Sequence, residues 1–139
     1  MEHFSPKERK FIEDPNPSQF DRIQFTWRYE AAWVLLWALG FVERLERPEK
    51  HCDVPVAAKF VSQRTTKKFL ADSKLRPAEE IVQGTDLILR YHWAVRNAQA
   101  GRQKPPARLD PGVVQERHYA FNWLIGFFDT GWDDVRTDT

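Results

Sequence analysis

The chain has 139 residues, 21 of them basic and 20 acidic for a formal net charge of +1, with 42% apolar, 29% charged and 14% aromatic residues. That is the length of one domain around one core, and the composition is globular and aromatic-rich rather than disordered. Near-cancelling charge gives no global pull toward nucleic acid or an anionic membrane. The one cysteine, Cys52, excludes an internal disulfide, so a cytoplasmic address is the default reading.

From Met1 to Pro17 the chain is charged and proline-bearing, without the apolar stretch of a secretory signal. Ser5-Pro6-Lys7-Glu8 reads as a capping box with proline at the first helical position, opening a short helix to about Ile12 that Pro15 and Pro17 stop. Ser18 caps the next helix, expected from Gln19 to Leu39 with Gly40 as its stop. Within it Ala31 to Leu39 is apolar at every position, so this helix must be enclosed. A run that short falls well below the ~18 residues needed to span a bilayer, so the enclosing medium is protein and no membrane is expected. The core is accordingly expected to be rich in tryptophan, with Trp27, Trp33 and Trp37 all on this helix.

Pro48 to Pro55 reads as a polar connection and Val56 to Val61 as a short helix; Arg64 to Lys68 is polar and basic, with an apolar contact at Phe69 and Leu70 before a loop at Asp72 to Leu75. A long helix is expected from Pro77 to Ala100, opened by Pro77, Glu79 and Glu80 and closed by Gly101. Gly84 inside it costs ~1 kcal/mol relative to alanine. Gly101 to Arg108 reads as an extended loop, and Asp110 and Pro111 open a last helix to about Phe127. No alternating strand pattern occurs. The expectation is a compact all-α domain of three main helices plus short ones, with residues 1–139 as a single unit.

Several stretches carry a likeness. Trp27-Arg28-Tyr29-Glu30 is followed by Leu35-Leu36-Trp37-Ala38-Leu39-Gly40, then Cys52-Asp53, Leu75-Arg76-Pro77-Ala78-Glu79-Glu80-Ile81 and His92-Trp93-Ala94-Val95-Arg96. Asp110-Pro111-Gly112-Val113-Val114, Glu116-Arg117-His118, Asn122-Trp123-Leu124 and Trp132-Asp133-Asp134-Val135 with Thr137-Asp138-Thr139 complete the series. In this order they resemble the DUF4272 family, whose function is unknown. The resemblance runs from about Ser5 to the last residue and implies no activity, substrate or catalytic residue. Family members usually carry further sequence before these motifs, so the chain reads as a short member or the C-terminal portion of a longer family domain.

Helical spacing selects the candidate site. Ile81, Ile88, His92 and Val95 share one face of their helix, and Val114, His118, Phe121 and Ile125 share one face of theirs, with Asn122 one turn after His118. Glu30 sits among Thr26, Trp27, Trp33 and Val34. Three helices therefore offer Glu30, His92 and His118 to a common interior, where Arg28, Arg96, Arg117 and Asn122 are candidate neighbours. A carboxylate and two histidines would suit zinc or iron, or acid/base work, with an arginine for an anionic substrate. The plainer reading pairs each group internally: Glu30 with Arg28, Arg96 or Arg117, and each histidine with a carbonyl or carboxylate. No Glu-x-x-His or HExxH spacing occurs within a helix, which favours pairing.

Other patterns carry less. Asp86 and Arg90 form an i, i+4 pair; Glu116 and Arg117 diverge, one toward the core network and one toward solvent. Asp129, Asp133, Asp134 and Asp138 lack the spacing of a calcium loop and suit caps and loop hydrogen bonds, with Trp132 anchoring this tail. Lys59, Arg64, Lys67 and Lys68 interleave with Phe60 and Phe69, yet the net charge and absence of a binding motif speak against nucleic acid. Cys52, between His51 and Asp53, reads as a free thiol. The leading expectation is a non-catalytic interaction domain with a protein partner and no cofactor or metal; the rival is a metal-binding protein or enzyme using Glu30, His92 and His118. An incomplete domain would expose apolar surface and form a homo-oligomer.

Overall fold

Ser5 opens the first helix as its spacing requires. The computed structural model describes residues 3–139, with helices α1 (Pro6–Glu13), α2 (Gln19–Ala38), α3 (Val54–Ser62), α4 (Thr66–Asp72), α5 (Ala78–Ala100) and α6 (Pro111–Leu124), and no strand among the described residues. Short 3-10 turns follow at Pro106–Arg108, Phe127–Asp129 and Trp132–Asp134. The Ser5 hydroxyl accepts from the Glu8 N–H at 3.2 Å while the Glu8 carboxylate accepts from the Ser5 N–H at 3.0 Å, the reciprocal pair of a capping box. Ser18, Asp53, Thr65 and Asp110 cap α2, α3, α4 and α6 through their side-chain oxygens.

Helix α6 packs on both α2 and α5, and these three long elements enclose the core. Ala31, Val34, Leu36, Trp37 and Ala38 of α2 meet Ile81, Ile88 and Val95 of α5 and Val114, Ala120 and Phe121 of α6. All-α architecture is what the periodicities imply. Trp37 is the one tryptophan of α2 that belongs to the buried core; Trp27 and Trp33 are half-buried, while Trp93 and Trp123 are exposed.

Two glycines have specific jobs here. Gly40 ends α2 at φ +86°, with its N–H donating to Trp37 O at 3.0 Å and the Phe41 N–H to Leu36 O at 2.9 Å, the paired bonds of a Schellman stop. Gly84 lets α5 and α6 approach: a Cβ there would lie 2.7 Å from the Phe121 ring. The helix-propensity cost of Gly84 is thus the condition for a close crossing.

Several boundaries differ from expectation, among them the start of α3 at Val54 rather than Val56. Pro77 is the cap before α5 rather than its first helical residue, and α2 ends at Ala38. Thr65 caps a helix, α4, that runs through the polar, basic stretch and the apolar contact at Phe69 and Leu70 and takes in Asp72, where the loop is expected to begin. Helix α6 stops at Leu124, so Ile125 leaves the helical spacing that put it on the inner face and is exposed.

Candidate functional site

Glu30 comes from the middle of α2 and is only 2% exposed, a position that demands partners for a carboxylate. Arg117 of α6, 4% exposed, supplies the cation, its Nε lying 3.6 Å from Glu30 Oε2. This is an ion pair just outside hydrogen-bond length, and neither of those two atoms has another hydrogen-bond partner. Arg117 Nη1 donates to Glu46 O at 2.6 Å, tying the segment after α2 to α6. The other carboxylate oxygen of Glu30, Oε1, accepts from the Cys52 backbone N–H and has His51 Nδ1 at 4.0 Å. Burial lowers the Arg117 pKa and the Glu30 charge opposes that shift, which leaves the guanidinium a cation.

Cys52 is held as a thiol. Its Sγ–H donates to Tyr29 O at 3.6 Å, and burial, with the Glu30 charge beside it, pushes the thiol up to about 12. A group so far above neutral pH presents almost no thiolate, so it is no nucleophile. His51 lies tilted over the Trp27 ring at 4.6 Å and, with Ile23, Tyr29 and Val54, walls a small cleft of about 350 Å³ at Glu30.

His92 of α5 and His118 of α6 do not join this ion pair. Their Nδ1 atoms are 2.8 Å apart with the rings perpendicular, so one imidazole donates its Nδ1 proton and the other accepts it. Burial lowers both pKa values, with Arg96 adding to the effect at His92; at His118 burial and then the neighbouring His92 bring the value to about 4, against the raising effect of a hydrogen bond to Asn122. Asn122 in turn donates from Nδ2 to Arg136 O at 2.7 Å and so holds the C-terminal tail.

The expected meeting of Glu30, His92 and His118 at one point is therefore corrected to two separate pairs on either side of α6. Among the described residues no group of three His, Cys, Asp or Glu side chains is placed to hold a metal ion. Arg96 is exposed and touches the site only through its field on His92. Arg28 turns away from Glu30 and binds Glu116 with both carboxylate oxygens, at 3.2 and 2.9 Å, while lying over the Tyr119 ring at 4.2 Å. Glu116 is thus mostly buried rather than solvated, its pKa raised by burial against the lowering effect of Arg28. The histidines satisfy one another instead of a carbonyl or carboxylate.

Arg76 carries more structure than its place before a proline suggests. Its Nε donates to Trp37 O at 2.6 Å, its Nη2 to Val42 O and Glu43 O at 2.8 Å each, and its guanidinium covers the Trp37 ring at 4.6 Å. It closes the C-terminal carbonyls of α2 from 39 positions along the chain. Trp132 packs edge-on against Tyr119 and Trp123, and the Tyr119 hydroxyl donates to Trp132 O, so the tail is anchored as its aromatic residue implies. Asp133 accepts from the Lys7 N–H at 2.9 Å, joining the tail to α1. Phe60 and Phe69 of the basic stretch turn inward onto Phe41, while Arg64 and Lys68 both engage Asp72.

A family described as a domain of unknown function, DUF4272, matches residues 1–135. The chain belongs to the DUF4272 family. No curated protein and no solved structure matches it. Among the described residues of this DUF4272 member, no helix is long and apolar enough to cross a membrane. The motif residues Glu30, Arg76, Arg117 and Trp132 all have structural partners inside the domain.

Proposed function

We propose that this chain is a non-catalytic protein-interaction domain whose working surface is the outer face of α5. One observation carries the reading: Val82, Leu89 and Trp93 fall on a single helical face at exposures of 58%, 42% and 62%. A tryptophan with most of its ring in water is the type of anchor that dominates protein interfaces. The buried polar residues, by contrast, have partners within the fold and are assigned to its stability.

The occupant we assign to this face is a second copy. Asp86 and Arg90 lie beside the apolar stripe, paired at 3.0 Å and well exposed. An antiparallel pairing of α5 with itself, about a two-fold axis passing between Asp86 and Leu89, sets Val82 against Trp93 of the other copy, small against large. The same axis sets Asp86 against Arg90. A self-complementary patch of this kind is what an isologous dimer requires. A cytoplasmic address accompanies the proposal, supported by the single free thiol.

Sedimentation velocity over micromolar concentrations tests this. The expected result is a concentration-dependent dimer that Trp93→Glu converts to a folded monomer. A wild-type chain that sediments as a monomer throughout, or a dimer indifferent to Trp93→Glu, overturns the assignment.

A further inference from the structure

A cleft of about 510 Å³ lies between the 44–48 segment and α5, and its two walls are of opposite character. One wall is apolar: Leu87, Ile88 and Tyr91 of α5, continuing onto Trp37 and Phe121 at its base. The other is cationic: Arg44 and Arg47 stand on the 44–48 segment and Arg117 reaches that segment from α6 through Glu46 O.

The cationic wall is preformed. Arg76 holds Val42 O and Glu43 O, Arg117 holds Glu46 O, and Pro48 O accepts from the Asp110 N–H at 2.8 Å. The segment is thereby pinned at both ends before any ligand arrives, which keeps the ordering cost of binding low. Two acids also line the cleft, Glu46 and Glu80; Glu80 is engaged by Arg76 at 3.3 Å, and Arg47 is engaged by Glu49 at 3.2 Å. Arg44 is the decisive member. It is exposed on the cleft and, among the described residues, has no hydrogen-bond or ion-pair partner, whereas Arg117 is already committed to Glu46 O and Glu30.

We propose that this cleft is a binding site for an amphipathic organic anion, a carboxylate attached to an apolar chain or ring. The head group meets the Arg44, Arg47 and Arg117 side, where a planar guanidinium matches a carboxylate in a bidentate fashion. The apolar body lies on Leu87, Ile88 and Tyr91 and reaches toward Trp37. A concave volume, apolar lining and a few convergent polar groups are the ordinary attributes of a small-molecule site. This site is independent of the α5 outer face, since Leu87 lies off the Val82, Leu89 and Trp93 stripe.

The test is calorimetric titration of the full chain with octanoate, octanol and octylammonium, followed by tryptophan fluorescence. Octanoate is expected to bind at least tenfold more tightly than either analogue, to weaken with added salt, and to perturb tryptophan emission. Two surface variants, Arg44→Glu and Leu87→Trp, are chosen because both side chains are exposed and the fold should survive, as circular dichroism will verify. Each is expected to weaken octanoate at least tenfold. Absence of saturable octanoate binding, equal affinity for octanol, preference for octylammonium, or binding that both folded variants retain overturns the proposal.

Discussion

Arg117 and His118 are consecutive residues of α6, both buried, and they solve the same problem in opposite ways. Arg117 faces α2 and keeps its charge by setting it 3.6 Å from Glu30; His118 faces α5 and gives up its charge, sharing one proton with His92. An arginine cannot shed its proton in a protein, so it must bring a carboxylate into the core with it. An imidazole can, so two of them need only each other. The contrast teaches that a buried polar residue is no sign of a waiting ligand until its own protonation and partners have been accounted for. It also divides the site by vulnerability: one half depends on a charge being matched, the other on the pH.

The largest effect should come from unmatching the charge. Arg117→Met leaves Glu30 buried without its cation, and urea denaturation should register a loss of about 3–5 kcal/mol. Adding Glu30→Leu should recover a large part of that loss, because an apolar pair of similar volume avoids both desolvation costs. Equal losses in the single and double variants would show that the pair is not coupled.

The histidine half should respond to acid. Both imidazoles sit below their ordinary value of 6.5 in the fold, His118 at about 4, whereas the unfolded chain takes up protons from about 6.5 downward. The unfolded state then binds more protons, so stability is full above pH 6.5 and falls as the pH drops toward 4, by on the order of 2 kcal/mol. His92→Gln should flatten this slope, and a variant whose stability keeps the wild-type pH dependence would remove the pair as its source. A smaller change, about 1–3 kcal/mol, is expected for Gly84→Ala, whose Cβ would press on Phe121 at the contact of α5 with α6. A thermal melt unchanged by that substitution would mean the two helices can separate freely.

Much of this was readable from spacing and capping signals. Ser5 and Glu8, Ser18, Gly40 and Asp110 mark real helix ends, and the faces carrying His92 and His118 do point inward. Periodicity reports which way a side chain leaves its own helix and nothing about which partner it meets, so Glu30, His92 and His118 could be placed in the interior but not apportioned between pairs. Arg117 could not be chosen over Arg28 or Arg96 as the partner of Glu30 for the same reason. Helix α4 was hidden because Lys67 and Lys68 are exposed and its apolar contact is brief. The reach of Arg76 to the end of α2 is a long-range hydrogen-bond pattern with no local signature.

The most direct test of the account is long-range proton–nitrogen NMR of the four histidines at pH 7, recorded before and after stoichiometric zinc. Two neutral imidazoles are expected at His92 and His118, one protonated on Nδ1 and one bare there, both indifferent to the metal and His118 still neutral at pH 5.5. Zinc-dependent shifts at the pair, or a protonation midpoint near 6.5, would contradict a settled internal pair and return both residues to the list of candidate ligands.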